Sequence, residues 1–115
     1  MHWFMSRGYM ASLPLDQASY DLIVESDGGL MRVQVKSTTQ RDRYGRSYVN
    51  IYRNGYDSAV AMNPAGRRKR RAYSACEIDC FFVLNGARDV YIIPLAATAG
   101  KTHLTLDRAY AAFKM

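Results

Sequence analysis

Three side chains in the first third of the chain carry groups that handle a metal ion and a water molecule: the carboxylate of Asp21, the amide oxygen of Gln34 and the ammonium of Lys36. Hydrolysis of a phosphodiester needs a cation that neutralises charge building on the phosphate oxygens and lowers the pKa of a bound water. Hard oxygen donors suit Mg²⁺, which keeps several of its waters and takes only one or two protein carboxylates. Asp21 would supply that carboxylate and Gln34 a neutral oxygen. Lys36 would orient the attacking water and offset charge in the transition state. With an amide where a second carboxylate would add charge, metal affinity is expected to be lower than at a Glu-bearing site.

Positioning these groups falls to two apolar runs, Asp21-Leu22-Ile23-Val24-Glu25 and Leu30-Met31-Arg32-Val33-Gln34-Val35-Lys36-Ser37. The linking Ser26-Asp27-Gly28-Gly29 is hairpin chemistry. Antiparallel pairing brings Asp21, at the start of one strand, near the end of the other. Because side chains alternate along a strand, Gln34 and Lys36 share a face while Val33 and Val35 point into the core. Taken alone, the same alternation also fits any half-buried edge strand with solvated polar residues.

More of the chain follows an ordered pattern. Ser6-Arg7-Gly8-Tyr9, Ser12-Leu13-Pro14, Tyr20-Asp21-Leu22-Ile23-Val24, Arg32-Val33-Gln34-Val35-Lys36-Ser37-Thr38, Ile78-Asp79-Cys80-Phe81-Phe82-Val83 and Val90-Tyr91-Ile92-Ile93-Pro94-Leu95 follow in sequence. This set resembles the PD-(D/E)XK nuclease superfamily in the variant where Gln replaces the acidic residue. It is similar in order and spacing to small domains of group I intron homing endonucleases and, more distantly, to Holliday-junction resolvases. The resemblance implies an α+β fold, a restriction-endonuclease-like αβββαβ core with a mixed central sheet, and Mg²⁺ as cofactor with Mn²⁺ as a substitute. It also implies that the backbone carbonyl of Val35 joins Asp21 and Gln34 as a metal ligand. Relatives carry a Glu on a first helix at a position that here would precede Met1, so the N-terminal helix reads as truncated. The chain starts further upstream, has been shortened, or works without that acid.

Net charge is +6 and the pI near 9.5, which point to an acidic partner. Residues 41–73 hold nine of the sixteen basic residues against two acids. Arg41, Arg43, Arg46 and Arg53 interleave with Tyr44, Tyr48, Tyr52 and Tyr56, and Arg67, Arg68, Lys69, Arg70 and Arg71 follow as a run. Arginine forks bind phosphates in pairs of hydrogen bonds and tyrosines donate to phosphate oxygens, so these basic residues are the expected DNA-binding footprint. Tyr48 and Tyr52 fit sheet packing equally well, and the arginine run also fits a solvated loop or an import signal.

At 115 residues with 49% apolar content and no linker-like stretch, residues 1–115 are expected to form one domain. No run is long enough to span a bilayer and Met1-His2-Trp3-Phe4-Met5 lacks the marks of a signal peptide, which makes a cytoplasmic location the expectation. Cys76 and Cys80 could form half a zinc site, but only His2 and His103 could complete it, so reduced and partly buried thiols are expected. The patterning predicts a helix over 1–7, strands near 9–13, 20–26, 30–39, 47–53, 79–85 and 89–95, an irregular or partly helical stretch over 56–77, a turn at Asn85-Gly86 and a closing helix over 106–113.

Together these features predict a metal-dependent DNA endonuclease. Clustered basic residues on a short chain favour a structure-selective, Holliday-junction resolvase-like enzyme over one cutting a long linear duplex target, as a homing endonuclease does. A non-catalytic nucleic-acid-binding module on a nuclease fold is the competing class. Cutting two strands takes two centres, so a homodimer or higher homo-oligomer is expected, with the apolar segment Met1–Met5 against the partner chain.

Overall fold

The computed structural model describes residues 1–15, 18–55 and 69–115. Its centre is the predicted hairpin: β2 (Leu22–Ser26) pairs antiparallel with β3 (Gly29–Ser37), from Leu22 opposite Val33 to Ser26 opposite Gly29. Asp27-Gly28 makes the turn, and Gly29 leaves it at φ +112°, a conformation that side chains rarely adopt. β1 (Met10–Ser12) adds to the free side of β2, and β7 (Cys80–Leu84) lies parallel to β3 on the other side. β8 (Val90–Pro94) completes a mixed sheet in the order β1-β2-β3-β7-β8.

A parallel pair needs a crossover, and residues 38–79 supply it. They include β4 (Ser47–Asn50), β5 (Arg53–Gly55) and β6 (Lys69–Arg71). β4 pairs with β9 (His103–Leu106), and β5 pairs with β6. The single strand expected over 47–53 is therefore two, because the chain leaves β9 after Asn50 to join a different partner. Of the stretch expected to be irregular or partly helical, residues 56–68 lie outside the described residues, 69–71 are strand and 75–77 a turn.

β9 itself escapes the sequence reading, its Leu104 and Leu106 being too short an alternation to stand out. The expected closing helix is a 3₁₀ helix over Arg108–Phe113, capped by the Asp107 carboxylate, which accepts from the Ala109 N–H at 3.0 Å. Asn85-Gly86 does lie in a hairpin, but the loop spans 85–89. Buried Asn85 organises it by accepting from the N–H groups of Ala87 (3.0 Å) and Asp89 (2.9 Å).

The sheet buries apolar side chains on both faces. On one, the short helix α1 (His2–Ser6) inserts Phe4 against Leu22, Val24, Val33 and Cys80, and the edge of Trp3 meets Phe4 and Phe82. Gly8, at φ +85°, lets the chain turn out of that helix. On the other, Phe81, Val83, Tyr91 and Ile93 pack with Val49, Leu104 and Leu106 of the β4–β9 ribbon and with Ile51 just beyond it. Both cysteines are free. Burial, with the nearby Asp79 charge adding, pushes the Cys80 thiol up to about 11, so it stays protonated; Cys76, expected to be partly buried, is exposed. Phe4 of the Met1–Met5 segment fills this chain's own core, while Met1 and Met5 remain exposed.

Candidate active site

β2 begins at Leu22, whereas β3 runs on to Ser37, so Gln34 to Ser37 have β7 on one side and no strand on the other. Asp21 occupies that gap. Its N–H donates to the Val33 carbonyl at 2.9 Å, and its Oδ2 accepts from the Val35 N–H at 2.9 Å. Within an extended strand a residue's N–H and C=O point to the same side, so the Val35 carbonyl is directed along the edge that Asp21 occupies. The predicted convergence of Asp21 with the end of β3 is thus observed.

Gln34 and Lys36 lie on the face opposite Val33, both half-buried. Burial lowers the Lys36 pKa, against an opposing pull from Asp21. The Val35 side chain corrects the expectation of a core position: it is 36% exposed, because β2 ends before reaching it and no adjacent strand covers its outer side.

Two residues that sequence reasoning missed complete the surroundings. Tyr73 sets its ring edge-on to Phe81 at 5.5 Å, and the Lys36 Nζ lies 5.6 Å from that ring. Burial raises the Tyr73 pKa, and its hydroxyl also feels Arg53, Asp21 and Arg71. Glu77, with 12% of its side chain exposed, accepts from Arg71 at 2.6 and 3.0 Å and is ion-paired with Arg53. The loop that carries Glu77 is pinned to β3 by Arg32. Its guanidinium donates to Asp79 and to the carbonyls of Cys76 (2.6 Å) and Ala75 (2.7 Å), and the hydrogen bond from Arg32 holds the Asp79 carboxyl below its ordinary range. An acid following an arginine run and preceding an apolar strand was the available signal for Glu77; for Tyr73 the sequence carries none.

The expected DNA-binding residues divide. Arg53 and Arg71 are held by Glu77 beside the site. Arg46 pairs with Asp42 (2.8 Å) and Asp107 (3.4 Å), Arg41 donates to the Gly45 carbonyl (2.9 Å), and Arg43 and Arg46 lie 5.0 and 5.2 Å from the Tyr44 ring. Arg67 and Arg68 are outside the described residues, as are the side chains of Lys69 and Arg70 in β6. Tyr48 faces away from Val49, its ring 5.6 Å from that of His103.

Among the described residues no three His, Cys, Asp or Glu side chains converge as a metal cage. Of the predicted ligands, Asp21 offers a carboxylate, Gln34 an amide oxygen and Val35 a backbone carbonyl. Exposed Asp21, the Val35 carbonyl directed along the same edge and Gln34 on the same strand end could supply oxygen donors of the kind that hard divalent cations take.

A sequence profile of the PD-(D/E)XK endonucleases matches residues 1–111. No curated protein matches the chain. Among solved structures, the bacterial homing endonuclease I-Ssp6803I shares the fold with a TM-score of 0.77, over 98% of this chain and 79% of that one, at 21% sequence identity.

Proposed function

The chain belongs to the PD-(D/E)XK endonuclease family, and from that premise we propose that it is a Mg²⁺-dependent DNA endonuclease centred on Asp21, Gln34 and Lys36. The observation that carries this reading is the Asp21 carboxylate bonded to the Val35 N–H where β3 outruns β2, with Lys36 within its field. Asp21 and the oxygens of Gln34 and Val35 would hold the ion, which when bound supplies charge neutralisation and an acidified water. Lys36, half-buried and near enough to Asp21 to feel its charge, would orient the attacking water and face the charge that develops on the phosphate. Arg53 and the basic run bind the flanking phosphates.

A short chain whose basic residues are clustered in the sequence favours branched DNA such as a four-way junction. A linear duplex target is the second reading, favoured by the shared fold with a homing endonuclease. Labelled junction and duplex, each incubated with and without Mg²⁺ or Mn²⁺, separate the two. Binding without metal-dependent cutting of either would leave a DNA-binding module instead.

We further propose that the enzyme works as a homodimer, since one chain offers one centre and two strands need two. Met1, Met5 and Met10 are 46%, 51% and 65% exposed around the β1 edge of the sheet and would meet the partner there. Sedimentation at micromolar protein giving a single species near 13 kDa, with and without DNA, would contradict the dimer and leave single-strand nicking.

A further inference from the structure

Arg53 and Arg71 are register partners across β5 and β6, an arrangement of like charges that costs stability unless something offsets it. Glu77 offsets it. Its Oε1 and Oε2 take the Arg71 fork at 2.6 and 3.0 Å, and Oε2 also pairs with Arg53. Ser74 adds an N–H and a hydroxyl to Oε1, both at 3.1 Å, and the Ser19 hydroxyl donates to Oε2 at 3.2 Å. Ser19 in turn accepts from Arg53 Nη1 at 2.7 Å.

The consequence lies in where Ser19 sits: two residues ahead of Asp21, on the segment that enters β2. Arg53 is thereby tied to the strand end that carries the candidate metal ligand, and the charges of Arg53, Asp21 and Arg71 all reach the Tyr73 hydroxyl beneath Lys36. Two guanidinium groups share one carboxylate, so a positive charge is left over at this edge. Arg53 remains 35% exposed, so solvent reaches its side chain.

We propose that Glu77 is a positioning residue which, with Ser19, holds the Arg53 guanidinium at the Asp21 edge so that it meets the phosphate at or beside the cleaved bond. This rests on the endonuclease reading above. A carboxylate serving only to hold the β5–β6 ribbon in place would affect folding; one that aims Arg53 affects the rate of the bound complex.

The test uses the full chain with Glu77→Gln, the milder Ser19→Ala, and Arg53→Gln, on linear duplex and four-way junction DNA. Thermal melting gives the folded fraction, affinity against salt without divalent metal counts phosphate contacts, and single-turnover cutting at saturating DNA with Mg²⁺ gives the rate. Glu77→Gln and Ser19→Ala are expected to bind DNA at least as tightly as the parent while the saturating rate of the folded protein falls, by about tenfold to a hundredfold for Glu77→Gln. Arg53→Gln should lower the slope of log affinity against log salt by about one contact. Unchanged saturating rates in both positioning variants, or losses that track the unfolded fraction in both, overturn the proposal. If the parent protein binds but does not cut with Mg²⁺ or Mn²⁺, the endonuclease reading fails by itself. An unchanged salt slope for Arg53→Gln then overturns the present inference separately, and a reduced slope supports the arginine's placement.

Discussion

On one face of β3, Val33 is completely buried among Phe4, Leu22, Val24 and Cys80, whereas on the other Gln34 and Lys36 stay half exposed beside Asp21 and Tyr73. The strand and its pleat are the same; the neighbours differ. Where β2 and β7 flank β3 on both sides, the strand is a packing element. Where β2 has ended, backbone groups of β3 become available to a side chain, and Asp21 takes the Val35 N–H. The site is thus created by a mismatch in strand length and costs some stability, because Lys36 is partly desolvated. A rigid core behind a polar edge holds the groups on that edge in place.

If the two faces act separately, changes on them should separate too. The largest effect is expected from Lys36→Ala, which should slow single-turnover cutting by about two to four orders of magnitude without loss of stability. A melting temperature that falls with the rate would show that Lys36 also holds the sheet together. Phe4→Ala on the opposite face should cost about 3–5 kcal/mol in urea unfolding, yet leave the rate per folded molecule unchanged. A slower folded enzyme would join the two faces energetically.

Smaller changes sharpen the chemical face itself. Gln34→Glu adds a negative oxygen donor, so half-maximal cutting should be reached at lower Mg²⁺; an unmoved metal titration would remove Gln34 from the ligand set. Lys36 has a pKa below its ordinary 10.5, chiefly through burial. Its ammonium is lost as pH rises through the lowered value, so cutting should decline earlier on the alkaline side than for a free lysine, and Lys36→Arg should move that decline upward. Folding stability contributed by this group has the opposite trend, improving as pH rises from the folded pKa towards 10.5, because the unfolded chain binds the proton more tightly there. A pH profile identical in the parent and Lys36→Arg would detach Lys36 from the reaction.

Much of the candidate site was legible because it is local. Asp21 and Val35 are joined by a hairpin whose turn chemistry and two-residue period fix the register, and the sequence carries both. Tyr73 and Glu77 come to the site through the crossover between parallel strands β3 and β7, and no periodicity reports such a return. The basic residues show the same divide. Their clustering announces a cationic surface, but it is silent on acid partners, so the engagement of Arg53 and Arg71 by Glu77 emerged only from the fold. β9 was missed for a related reason: four residues gain strand identity from pairing with β4 rather than from their own pattern.

The most direct test of the centre is single-turnover cleavage of duplex and junction DNA at saturating protein, comparing the parent with Asp21→Asn across a Mg²⁺ titration. Metal-dependent cutting by the parent, and none by Asp21→Asn at equal DNA occupancy, is the predicted result. Cutting by Asp21→Asn at the parental rate and with the parental metal dependence would place the chemistry elsewhere in the molecule.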